Sequence, residues 1–288
     1  MSASAAKHNR LAALLAISLT FTGSLSLPAC AQAPAVAKRP VQKFKPTVRL
    51  PEQLPVEVPF EIEPSADLLI IMARVNGVDG LFIVDTGASV TVVTPAFAQK
   101  INSPILPDTG LTKSKIPLHK ISRLQLGKTV FENFEVAEVN LDHITKPLKL
   151  DIAGIIGDNV LLAESCRFDL KNNLIAFGIT LPSTNNALPY RFFGGTPTVN
   201  VTLDGQPFEM ELNSGSPQTF ILARDWPGAV DEANTPIRYA HVKEIKLANR
   251  LVKGVPVALN ESLTVFGVDF FRRYIVTFNP AYNLLWLE

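Results

Sequence analysis

The stretch Phe82-Ile83-Val84-Asp85-Thr86-Gly87-Ala88-Ser89-Val90 carries a carboxylate at the end of an apolar run and turns sharply behind it. Three apolar residues deliver Asp85 to a partly dry position, where burial disfavours its charged form and raises its proton affinity. A carboxylate so placed can take a proton from water and turn the water into a nucleophile. Gly87 permits a tight turn that a side chain would obstruct. Ser89 can hydrogen-bond the outer carboxylate oxygen and fix its direction. A second stretch, Met210-Glu211-Leu212-Asn213-Ser214-Gly215-Ser216, repeats the design with an amide in place of the acid. Asn213 has the shape of a protonated aspartic acid and can donate a hydrogen bond, but it neither loses nor relays a proton. The tripeptide alone is a weak signal, because Asp108-Thr109-Gly110 also occurs. There Pro107 precedes the acid and no Ala-Ser follows, so an ordinary turn is expected and Asp108 is given no catalytic role.

The elements that must position these turns are short β-strands. "LLIIMARV" and "LFIV" flank an Asn76-Gly77 turn, a hairpin signal. Later segments such as "RLQLGKTVFENFEVAEV" and "IKLANRLVKGVPVAL" alternate or break at short turns in the same way, while helical periodicity is scarce apart from "PAFAQKI". The expected class is all-β. A gapless offset of 128 residues lays Asp85 on Asn213, Gly77 on Gly205, Thr86 on Ser214, Gly87 on Gly215 and Thr91 on Thr219. Further along, "GIIGDNVL" (154–161) matches "TVFGVDFF" (264–271), each followed by a closing strand–turn–strand. The chain therefore reads as a tandem of two similar β-barrel lobes, residues 58–183 and 190–288, with a cleft between them.

This constellation resembles the aspartic peptidases, retropepsin-like and pepsin-like, over residues 58–288. The resemblance implies two carboxylates, one from each lobe, that share a proton and hold a water between them, with no covalent intermediate. It implies that Asp85 is catalytic, that Thr86, Gly87 and Ser89 arrange it, and that Asn213, Ser214 and Gly215 form the opposing loop. The Thr86 hydroxyl would reach the backbone of that loop, and Ser214 keeps a hydroxyl to answer it. Pro217 stands where the first lobe has Ser89, so support for a second carboxylate is missing along with the carboxylate. The bound molecule would be a peptide or protein segment in extended conformation between the lobes. Two readings stay open: a peptidase driven by Asp85 alone, and a pseudoenzyme that holds peptides without cutting them. A homodimer pairing two Asp85 loops is a further alternative, and it requires the second lobe to leave the surface it would otherwise occupy. "TGLTKSKIPLHK", with Lys113, Lys115 and His119, takes the position of the closing hairpin.

Composition narrows the rest. With 27 basic and 26 acidic residues, no basic excess exists to neutralise phosphates, and nucleic acid is not an expected partner. Lys7 and Arg10 before the apolar run Leu11–Leu27, followed by "PACAQA", describe a signal peptide over residues 1–33 and an exported, periplasmic or secreted protein. Lipid anchoring through Cys30 is the alternative fate of that leader. Residues 34–57, with proline every few positions, read as a linker. Cys166 has no CxxC partner and is expected to be a buried structural thiol. His119, His143 and His241 show no ligand spacing, so neither metal nor cofactor is expected.

Overall fold

The computed structural model describes residues 44–106, 116–181, 183–226, 237–248 and 250–288. The first lobe is built from β1 (Thr47–Arg49), β2 (Val56–Pro59), β3 (Glu61–Glu63), β4 (Leu68–Val75), β5 (Val78–Val84) and β6 (Val92–Val93). Helix α1 (Pro95–Lys100) follows, then β7 (Leu118–Leu126), β8 (Thr129–Glu138), α2 (Asp142–Leu148), β9 (Ile152–Ile156), α3 (Asp158–Leu161), β10 (Cys166–Asp169) and β11 (Leu174–Phe177). The second lobe runs through β12 (Leu188–Pro189), β13 (Arg191–Phe193), β14 (Thr196–Leu203), β15 (Gln206–Leu212), β16 (Phe220–Leu222), β17 (Tyr239–Ala240) and β18 (Ile245–Leu247). It ends with β19 (Arg250–Val252), β20 (Val257–Asn260), β21 (Val265–Phe266), α4 (Val268–Phe271), β22 (Val276–Asn279) and β23 (Leu284–Leu287).

In the first lobe six strands close a ring: β4 pairs β5, β5 pairs β9, β9 pairs β6, β6 pairs β8, β8 pairs β7, and β7 returns to β4. Alternation fills it, since Leu69, Ile71, Ala73 and Val75 of β4 and Phe82 and Val84 of β5 point inward and are buried. The second lobe repeats the order β18–β14–β15–β21–β16–β20. Its counterpart of β8 is split: β19 pairs β18 and β20 pairs β16, with Lys253–Pro256 between them. Pro256 has no N–H to give a ladder, which is a physical reason for the interruption. The two hairpins that lead to the candidate loops have matching turns. Asn76 and Gly77 have φ of 48° and 89°, and Asp204 and Gly205 have φ of 49° and 83°, the geometry of a two-residue hairpin turn.

The lobes are joined by a third sheet, ordered β12–β23–β22–β10–β11–β2, to which each half contributes three strands. The seam is β10 against β22, with Cys166 opposite Phe278 and Phe168 opposite Val276. Behind it Phe168 contacts Phe271 and Phe278 at ring-centroid distances of 5.5 and 5.9 Å. Cys166 is buried in this sheet, and burial pushes its thiol well up from the ordinary value, so it is a packing residue.

The stretch read as a linker is partly built into the fold. Thr47–Arg49 pairs β8 and Val56–Pro59 pairs β11, with Val58 opposite Ile175. Among the described residues, Pro46, Pro51 and Pro55 lie outside these short strands and Pro59 ends one, on a sheet edge where a missing N–H is tolerated. The expected helix at "PAFAQKI" is α1, capped by Thr94, whose hydroxyl accepts the N–H of Phe97. The leader, Asp108, Lys113 and Lys115 lie outside the described residues.

Candidate functional site

Asp85 and Asn213 sit at equivalent places, one residue past β5 and β15. Each strand runs parallel to the strand that precedes a short helix, β9 or β21. The N–H of Asp85 donates to Ile156 O at 3.1 Å, and that of Asn213 to Phe266 O at 2.9 Å. Each side chain then closes its own turn: Gly87 N–H donates to Asp85 Oδ1 at 2.7 Å, and Gly215 N–H to Asn213 Oδ1 at 2.9 Å. The turns need an acceptor oxygen at this point, and an amide supplies one as well as a carboxylate does.

The two turns grip one another. Thr86 N–H donates to Ser214 Oγ at 3.0 Å, and the Ser214 hydroxyl donates on to Val84 O at 3.1 Å. Reciprocally, Ser214 N–H donates to Thr86 Oγ1 at 2.9 Å, and the Thr86 hydroxyl donates to Leu212 O at 2.5 Å. Both residues are fully buried. Four hydrogen bonds thus cross between the lobes with two-fold symmetry, and each hydroxyl both accepts and donates.

This grip sets the Asp85 and Asn213 side chains face to face. A Cβ on Gly87 would stand 2.0 Å from Asn213 Nδ2, and one on Gly215 would stand 2.3 Å from Asp85 Cγ. Only glycine lets each loop approach the other's polar side chain so closely. Because Gly215 N–H is a donor, Asn213 Oδ1 must face its own turn, which leaves Nδ2 directed across at the first lobe. Asp85 is 3% exposed. Burial pushes its pKa up to about 7, reinforced by the charge of Glu211 and opposed by the N–H groups of Gly87, Gly215 and Ala88. A carboxyl poised there changes charge near neutrality and can serve as a base.

Ser89 is buried and packs against the second lobe, where a Cβ on Gly195 would lie 2.6 Å from its own Cβ. Pro217 follows the second loop and has no hydroxyl to match it. Behind each loop lies a polar support that the sequence reading did not single out. Asn159 Oδ1 accepts from Thr91 N–H at 2.8 Å and Thr91 Oγ1 at 2.9 Å. In the second lobe Asp269 accepts from Thr219 N–H at 3.0 Å and Thr219 Oγ1 at 2.7 Å. The Thr91–Thr219 match was visible in the repeat, and its partners follow two residues after Gly157 and Gly267. His119 does not reach the loops: its ring bridges Ser103 O at 2.9 Å and Glu138 Oε2 at 3.0 Å, at the foot of the segment expected to form the lid.

Two further carboxyls crowd Asp85. Asp158 is 3% exposed, and both of its carboxyl oxygens are sealed from solvent with no well-formed hydrogen bond among the described residues. Burial and then the neighbouring Asp85 charge raise its pKa well above the ordinary value, with the N–H of Asn159 a minor offset. Its counterpart in the second lobe is Val268: Asp158 N–H donates to Ala88 O and Val268 N–H to Ser216 O, both at 2.8 Å. Glu211 lies two residues before Asn213 on the same strand face, its pKa raised by burial and partly offset by the Thr196 hydroxyl. Strand alternation was the signal that could have exposed Glu211 in the sequence.

No curated protein matches this chain. Residues 71–160, the span from β4 through Asp85, Thr86 and Gly87 to α3, match a family model described as aspartyl protease.

Proposed function

We propose that this protein is an aspartic-type peptidase-like hydrolase that holds an extended peptide between its lobes and activates water with Asp85 alone. The observation that carries the reading is the facing of Asp85 and Asn213 across the interlocked turns. Ionised Asp85 takes a proton from water, and the water oxygen bonds to the peptide carbonyl carbon. Asn213 Nδ2 donates a hydrogen bond to the oxygen that becomes negative. Asp85, now protonated, returns the proton to the amide nitrogen as the C–N bond breaks. One group thus serves first as base and then as acid, a role that a paired carboxylate would otherwise divide.

A second reading rests on Asn213 itself. An amide oxygen fills the acceptor place that closes this loop's turn while removing the titration of an aspartate, which suits a cleft that binds peptides without cutting them. The two readings separate on denatured protein and peptide libraries assayed from acid to neutral pH with the wild type, Asp85→Ala and Asn213→Asp. Cleavage by the wild type that disappears in Asp85→Ala supports the hydrolase. Binding with cleavage only in Asn213→Asp supports the peptide holder, and cleavage untouched by Asp85→Ala refutes the site. Export through the leader belongs to the same proposal; a mature N-terminus at Pro34 in N-terminal sequencing supports it, and retention of Met1 opposes it.

A further inference from the structure

The walls beside the facing pair are built from the same register in both lobes and from opposite chemistry. In the first lobe β4 sets Ile70 opposite Ile83 of β5, and in the second β14 sets Thr198 opposite Glu211 of β15. Leu68 likewise becomes Thr196. Side chains alternate along a strand, so Ile83 shares the face of Asp85 and Glu211 shares the face of Asn213. Ile83 is closed over: it is 2% exposed and belongs to one apolar cluster with Leu141 and Ile144 from the α2 segment. The second lobe has no counterpart of α2, since β20 and β21 are joined by residues 261–264 alone. Its matching cluster consists of Phe220, Ala258, Leu263 and Val265.

Glu211 therefore keeps part of its side chain accessible, while its Oε2 is sealed without a hydrogen-bond partner among the described residues. The nearby Thr196 hydroxyl has one hydrogen and a competing acceptor, Phe193 O at 2.9 Å. Thr198 donates to Thr196 O at 3.2 Å. The ion pair on this same face of β15 joins Arg191 to Glu209, two residues before Glu211, so the Arg191 charge is already engaged. Glu211 is left with a shared Thr196 donor and, among the described residues, no ion-pair partner of its own, and a part-buried charge is stabilised chiefly by gaining donors and a countercharge.

We propose that Glu211 is the specificity residue of a second-lobe subsite that takes a lysine or arginine side chain of the bound peptide, next to the bond lying over Asp85 and Asn213. The inference rests on the peptide-binding reading above. The aliphatic stem of the bound side chain lies along the accessible part of the Glu211 side chain, and its charged head pairs with the Glu211 carboxylate. The first lobe, closed by Ile70, Ile83 and α2, offers no such acid, so the cation fixes which way round the peptide lies.

The test measures binding, which does not require turnover. Labelled peptides identical except for lysine, arginine, glutamine or leucine at successive positions are titrated by fluorescence anisotropy into the mature protein, Glu211→Gln, Glu211→Ile and the surface control Glu57→Gln, an exposed position on β2. The expected result is a preference of at least ~10-fold for lysine or arginine at one position. That preference is lost in Glu211→Gln, turned toward leucine in Glu211→Ile and retained in Glu57→Gln. Thermal melts confirm that each variant folds. Binding without a cation preference, or a preference that survives Glu211→Gln, overturns the subsite and leaves peptide binding standing. Failure of every peptide to bind any variant overturns the peptide-binding reading and the subsite with it.

Discussion

In the first lobe the acid stands in front and the amide behind, as Asp85 and Asn159; in the second the order is reversed, as Asn213 and Asp269. Both front residues accept a hydrogen bond from the glycine two positions on, and both rear residues accept from a threonine N–H and hydroxyl. The frame asks only for an acceptor oxygen at each of these places, and amide and carboxylate oxygens serve equally. Chemistry asks for more, namely a group that can exist with and without a proton. The second lobe therefore shares the architecture without the titrating group in front, and the two properties are separable because hydrogen-bond acceptance does not require charge.

The largest expected effect comes from removing the one carboxylate in front. Asp85→Ala should lower any measured kcat/KM by ~10²–10⁴-fold or more, while a thermal melt shows the fold intact. Next comes making the lobes alike. Asn213→Asp should raise turnover by a similar order and change its pH dependence. In the wild type kcat/KM should rise with pH through about 7, as Asp85 loses its proton and becomes a base. In Asn213→Asp two carboxyls share one proton, so the profile should become bell-shaped with its maximum on the acid side. An unchanged profile would mean that the two side chains do not act as a pair.

Stability probes the symmetric part of the comparison. Thr86→Val and Ser214→Ala each remove a buried hydroxyl that accepts from one lobe and donates back to it. Each should cost about 2–4 kcal/mol in chemical denaturation, since backbone groups are left buried without partners, whereas Thr86→Ser should cost much less. Very unequal losses from the two truncations would break the symmetry inferred here.

The smallest effect tests the asymmetry behind the loops. Asp158→Val copies the second lobe's Val268 and should stabilise the protein by about 1–3 kcal/mol at pH 7. The native carboxyl holds its proton more tightly than the unfolded one, because burial and Asp85 raise its pKa. Its cost is therefore absent below an unfolded value of about 4 and grows as pH rises above it. Melting curves should show the gain from Asp158→Val shrinking as pH falls from 7 to 4. A gain independent of pH would mean that Asp158 is compensated in the folded state.

Much of the site was legible because its signals are local. Asp85-Thr86-Gly87 and Asn213-Ser214-Gly215 each form a turn whose geometry is set within a few residues, and the 128-residue offset aligned Thr86 with Ser214 before any contact was known. Asn76-Gly77 announced its hairpin by backbone conformation alone. The pairing of Val56–Pro59 with β11 was hidden by proline-rich composition, because an edge strand obeys weaker sequence rules than a central one. Alternation could place Glu211 on the face of Asn213, but the surroundings of Asp158 and Glu211 were hidden. Nothing next to a carboxylate in sequence states whether a cation, a hydroxyl or only apolar surface will surround it in space.

By itself, the sequence determined that two like β lobes exist and which turn of each bears an acid or an amide, because strand alternation and tight turns are short-range properties. Tertiary structure alone decided that the turns interlock through Thr86 and Ser214, that three strands from each half weld into one sheet, and that Asp85 is buried beside Asp158 and Glu211. Proton affinity and subsite chemistry arise from burial and from charges far away along the chain, and only folding brings those together.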